Sequence, residues 1–192
     1  VIGGAQVAVV TNVASDHLGE WGVFNVADMA RAKLGVALGL RHGGTLIVNA
    51  NSFERGDLKK AGYESNPLDD EVLLAPFDVH KVEMTRLARD SVEGLGLTPR
   101  EADRCKNFFA LGLLSWMYSR PVEPTLDWID AKFAGRELII AANRAAFAAG
   151  HAFGETAELG HQQVVVNAAP HEPGTYTNIS GNMALAWGLV AA

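Results

Sequence analysis

The chain has 192 residues and a formal net charge of −6, with 16 Lys and Arg against 22 Asp and Glu. No basic stripe stands out, which argues against a nucleic-acid surface, while a 48% hydrophobic content is enough to build a buried core. The one cysteine, Cys105, excludes an internal disulfide and cannot by itself hold an iron–sulfur cluster or a thiolate zinc site, so a reducing, cytoplasmic setting is expected.

No charged segment followed by an apolar core opens the chain, so no secretory leader is visible. The longest apolar run, FFALGLLSWMY at 108–118, is too short for a bilayer, which takes about 20 residues. The chain starts at Val1 and ends in the uncapped apolar run MALAWGLVAA, and both ends suggest a piece of a longer protein.

Residues 5–10, AQVAVV, predict a buried strand followed by the polar stretch TNVASDHLGE. Asn25 can cap a helix through about Arg41, with Asp28 placed for a weak capping box. His42, Gly43 and Gly44 end that helix, and TLIVN at 45–49 is a second strand, which makes a βαβ unit with a parallel, right-handed crossover. Residues 50–78 are rich in turn signals, and DVHKVEM at 78–84 alternates like a strand. A helix over 85–96 ends at glycine. TPRE at 98–101 then starts another, with Thr98 as cap, Pro99 in the first turn and Glu101 closing a capping box; it should run to about Tyr118. Pro121 and Pro124 break it. Helices over roughly 125–134 and 137–152, a short strand at 163–166, a Pro-bearing linker and a last helix from about Asn182 complete the pattern.

Thr11, Asn12, Asp16 and His17 can place oxygen and nitrogen ligands around a magnesium ion, with Lys33 on the following helix; equally, Asp16 can cap a turn and His17 face solvent. VAVVTNVASDHLGEWG with the downstream VADMARAKLGVA resembles the central domain of Mur ligases, nearest the cyanophycin-synthetase branch. That resemblance implies a magnesium-binding role for His17 and a metal-supporting, often carbamylated lysine at Lys33. The family also depends on an upstream Gly-rich loop ending in Gly-Lys-Thr/Ser that cradles phosphates. The chain has none, and Gly19 stands where the family has an aspartate after DHL, so ATP binding is not expected and the two metal residues would be vestigial.

From Gly43 onward the likeness changes. GGTLIVNANSFERGDLKKAGYESNPLDD, then MTRLARDSVEGLGLTPREADRCKNFFALGLLSWMYSRPVEPTLDWIDAKFAG, then PGTYTNISGNMALAWGLVAA, are similar to the α subunit of 2-oxoacid:ferredoxin oxidoreductases, especially the 2-oxoglutarate type. The resemblance implies an α/β fold: a small, mostly parallel sheet with flanking helices in a γ-domain-like three-layer arrangement, followed by a truncated second domain. Residues 1–42 are then a Mur-ligase-like strand–loop–helix completing the sheet, 43–167 the γ-domain-like region, and 168–192 a linker and the start of a thiamine-pyrimidine domain. The joint at GGTLIVN would make the chain a chimera or fragment of two families.

The implied parent complex oxidatively decarboxylates 2-oxoglutarate to an acyl-coenzyme A and passes electrons to ferredoxin. It uses thiamine diphosphate, magnesium, coenzyme A and iron–sulfur clusters, with a thiamine- and cluster-bearing β subunit as partner. The family's Tyr-Pro-Ile-Thr-Pro motif does not occur here, so the isolated chain is expected to bind none of these cofactors, to carry no catalytic residue and to be inactive. Neither nucleic acid nor membrane is an expected partner. A Mur-type amide-ligase remnant and a non-catalytic interaction module are the alternatives.

The other conspicuous residues read as structural. Phe108, Phe109, Trp116 and Tyr118 fill a helix face. His80, His151, His161 and His171 lack metal spacing, and the Gly181-Asn182 pair is a plain helix start. Cys105 lies between Arg104 and Lys106, which could lower its pKa, but a packed, inert thiol is the expectation.

Overall fold

A computed structural model describes residues 5–11, 39–157, 159, 163–165, 167 and 170–191. Among them the fold is α/β, as expected: β1 (Ala5–Val10), β2 (Leu40–Asn49) and β3 (Asp78–Val82) form a sheet in the order β1-β2-β3 with every pairing parallel. Val7 to Val10 run opposite Thr45 to Val48, and Thr45 to Asn49 opposite Asp78 to Val82. Alternate side chains leave on opposite faces. Ala8, Val10, Leu46 and Val48 therefore pack with Phe53 and Leu68 on one side. Ile47 and Val82, with Val7 and Val9, pack on the other side against Met84, Ala88, Phe109 and Leu113.

The second strand starts earlier than its sequence suggests. Leu40 and Arg41, expected to close a helix, are strand residues, and the part of that helix before Gly39 lies outside the described residues. Between the Ala5–Leu40 and Val7–Thr45 pairs, β2 carries the extra residues of a bulge. Gly43 makes it possible: its φ of +72 suits glycine, and its N–H donates to the carbonyl of Pro76 at 2.7 Å. The positive φ that glycine lends to a helix end is used here inside a strand.

Residues 50–77 hold two short helices, α1 (Arg55–Lys60) and α2 (Glu71–Leu74). Then come α3 (Met84–Ser91), α4 (Pro99–Arg104), α5 (Lys106–Met117), α6 (Glu123–Lys132), α7 (Glu137–Thr156) and α8 (Gly181–Ala191). The helix expected over 85–96 stops at Ser91, because Gly94 and Gly96 both take positive φ. The helix expected from 98 to 118 is two helices. At Cys105 the N–H turns to Ala102 and Asp103 carbonyls, a tighter step that separates α4 from α5. Pro124 does not break a helix but sits in the first turn of α6, where its missing N–H leaves no bond unmade.

The strand expected at 163–166 does not form over 163–165. Gln163 and Val164 instead donate to the carbonyls of Trp116 (3.4 Å) and Met117 (2.7 Å), closing the C-terminal end of α5.

The helical layer is built on a near-contact of backbones. A methyl added at Gly112 would lie 1.9 Å from the carbonyl oxygen of Phe147, and one at Gly150 would lie 1.9 Å from that of Phe109. Contacts advance together along both helices, from Cys105 with Asn143 to Trp116 with Gly154, so α5 and α7 run in the same direction. At the end of α5, Ser119 takes a φ of 47, with its N–H donating to Trp116 and that of Arg120 donating to Ser115. This is a Schellman closure with serine in the place that favours glycine. No helix among the described residues is long and apolar enough to cross a membrane.

Candidate functional site

In an open parallel sheet, ligands sit beyond the carboxyl ends of the strands. Here those ends are Thr11 after β1, Asn49 at the end of β2, and Glu83 after β3, where α3 begins. The chain joins them through one side chain. Asn49 is fully buried, and its amide nitrogen donates to the Thr11 carbonyl (2.9 Å), the Thr85 hydroxyl (2.8 Å) and, more loosely, the Ser52 hydroxyl (3.2 Å). Its oxygen accepts from the Thr85 N–H at 3.3 Å. Ser52 donates to the same Thr11 carbonyl at 3.3 Å, and Asn51 accepts from the Arg86 N–H at 3.1 Å.

These contacts decide what the site can do. The first N–H groups of α3, a potential cradle for a phosphate, are already taken by the carboxamides of Asn49 and Asn51. The adjacent Arg86 is bound by Glu83 through two nitrogens (2.6 and 3.0 Å) and by Asp90 at 3.3 Å; the hydrogen bond and charge of Glu83, aided by Asp90, push its pKa up. The cluster is a brace that holds three segments together, with its donors satisfied. It holds no nucleophile paired with a base.

Of the residues singled out in the sequence, Thr11 belongs to this brace through its carbonyl. Asn12, Asp16, His17 and Lys33 lie outside the described residues, as does His161. His80 pairs with Asp78 at 3.0 Å, His171 rests against the Tyr176 ring, and His151 lines a groove of about 400 Å³ with Val122, Leu126 and Phe147. No three His, Cys, Asp or Glu side chains among the described residues converge on a point that could hold a metal.

Cys105 is buried, with its sulfur 3.5 Å from the Glu101 carbonyl and 3.7 Å from Asn143 Oδ1. Burial pushes the thiol pKa up, and the charge of Glu101 adds to that, so its cationic neighbours in sequence do not prevail. Phe109 is core, as expected of the aromatic face, while Phe108 joins Trp128 and Phe133 in a three-ring cluster at centroid distances of 6.0–6.5 Å.

Sequence reasoning missed Asn49, Asn51 and Thr85. The available signal was the run Asn-Ala-Asn-Ser directly after a β-branched strand, an amide-rich sequence at a strand's carboxyl end.

Comparison with known proteins adds what the geometry lacks. Residues 21–153 match the family model of the pyruvate ferredoxin/flavodoxin oxidoreductases. The chain is 44% identical over 150 residues to the 2-oxoglutarate oxidoreductase subunit KorA of Mycobacterium tuberculosis. That alignment takes in 78% of this chain but only 23% of the relative, so the chain spans about a quarter of the length of the curated relative it matches. No solved structure matches. The family match begins inside the segment expected to be Mur-like and runs across the expected joint at residue 43. These matches therefore support the oxidoreductase resemblance and lend none to a Mur-ligase segment or a chimera.

Proposed function

Because the chain belongs to the pyruvate ferredoxin/flavodoxin oxidoreductase family, we propose that it is the γ-domain-like part, with the opening of a thiamine-pyrimidine domain, of the α subunit of a 2-oxoglutarate:ferredoxin oxidoreductase. The 44% identity to the mycobacterial 2-oxoglutarate oxidoreductase subunit is the observation that carries this reading. The parent enzyme would join the acyl group of a 2-oxoacid to coenzyme A, release the carboxylate as carbon dioxide and pass the electrons to ferredoxin, in the reducing cytoplasm. Thiamine diphosphate would supply the carbanion chemistry and iron–sulfur clusters the electron path. The described residues do not fit these groups: they bring together no metal-ligand set, and Cys105 is alone and buried. We assign the cofactors to the rest of the complex, and to this part the packing of the subunit around them.

The last helix supports a second domain beginning here. All of α8 is exposed, its large apolar side chains from Met183 at 45% to Val190 at 88%, and it has no charged side chain from Gly181 to Ala191. A helix apolar on every face belongs inside a domain. Pairing with a second copy would not satisfy it: eleven residues make a cylinder about 16 Å long and 10 Å wide, so two helices would bury roughly 500 Å² together, about half of what a specific interface needs. It takes an enclosing structure to cover such a helix. Deleting residues 175–192 should therefore raise solubility and move the thermal midpoint by less than about 5 °C, which is roughly 1–2 kcal/mol for a chain of this size. A larger drop would show that α8 packs on the γ-like body and that the domain boundary is misplaced.

Co-purification tests the functional reading. A tagged form of the chain, extended to the full α subunit, should retain a thiamine- and cluster-bearing β subunit and reduce viologen with 2-oxoglutarate and coenzyme A. The 192-residue chain alone should not. Failure of the full subunit to capture such a partner would overturn the oxidoreductase assignment. Activity confined to a different 2-oxoacid would overturn the substrate only, and viologen reduction by the short chain alone would overturn its predicted inactivity.

A further inference from the structure

We draw no further inference here: the strongest candidate, the apolar patch that Phe108, Leu111 and the 52% exposed Trp128 form where α5 meets α6, carries nothing because nothing in the structure shows what covers it.

Discussion

Replacing Gly112 by alanine tests the α5–α7 seam with a single carbon atom. In an ordinary helix the change would help, since glycine costs about 0.5–1 kcal/mol relative to alanine. Here the new methyl would lie 1.9 Å from the Phe147 carbonyl oxygen and about 3 Å from the His151 nitrogen, both backbone atoms that no rotamer change can move aside. The helices must separate by roughly an ångström, and a gap of that size forfeits a quarter to a half of each dispersion contact along the seam. Overpacking of this kind costs about 1–3 kcal/mol or more. The net expectation is a loss of at least about 2 kcal/mol, or a midpoint lower by some 4–8 °C for a chain of this length. Gly56→Ala in α1 is the control, because nothing lies within 4 Å of its added methyl and its φ is not positive. It should leave the midpoint unchanged or raise it, by up to about 1 kcal/mol. Thermal denaturation followed by circular dichroism reads both. A Gly112→Ala midpoint equal to or above that of the unaltered chain would refute the backbone-contact reading of the seam.

Three further outcomes are expected. Ser119→Gly should stabilise by about 1 kcal/mol, since the left-handed conformation costs a non-glycine residue roughly 1–2 kcal/mol and glycine gives back part of that gain in the unfolded chain; a fall in the urea midpoint would contradict the Schellman assignment. The Thr98 hydroxyl, and then the Thr98 N–H, hold the Glu101 carboxyl below its ordinary pKa. Its contribution should be complete above that ordinary range and vanish as pH falls through the folded value. The midpoint advantage over Glu101→Gln should accordingly shrink between about pH 6 and pH 3, and an advantage that persists or grows at low pH would reverse the argument. Asn49→Leu should cost about 2–3 kcal/mol, because it strands the Thr85 N–H and leaves the Thr11 carbonyl only its longer bond from Ser52. Thr85→Val should cost about 1 kcal/mol, and equal, negligible effects by urea unfolding would dissolve the brace.

What could be read in the sequence was local. The capping box at Thr98, Pro99 and Glu101 lies within four residues, and the structure forms all of it. The parallel sheet followed from two β-branched runs with a crossover between them. The brace was illegible because Asn49 meets Thr11 and Thr85 across separations of 38 and 36 residues, which no periodicity encodes. The division of α4 from α5 at Cys105 left no trace in composition, since that buried residue continues into the apolar face of α5. Residues 163–165 carried a strand's apolar pattern but met the end of α5 before any sheet edge. The site was the least legible part, for a physical reason: satisfied carboxamides and hydroxyls make no motif, and the family likeness rested on long strings such as KNFFALGLLSWMYSRP that build the core.

The order β1-β2-β3, with every pairing parallel, constrains how the chain can be made. Parallel neighbours cannot be joined by a tight hairpin, and β2 must wait for residues 50–77 to emerge before β3 reaches it. At about 5–20 residues per second this is a delay of roughly 1–6 s. Throughout that interval the uncharged Thr45–Val48 edge stands open in a nascent chain, with the aggregation hazard of any unpaired apolar strand. When β3 arrives it brings Lys81, whose ammonium group binds the Leu68 carbonyl at 2.6 Å. Among the described residues the strand that seals β2 thus becomes an edge itself, and it carries the charge that discourages a stranger from pairing with it.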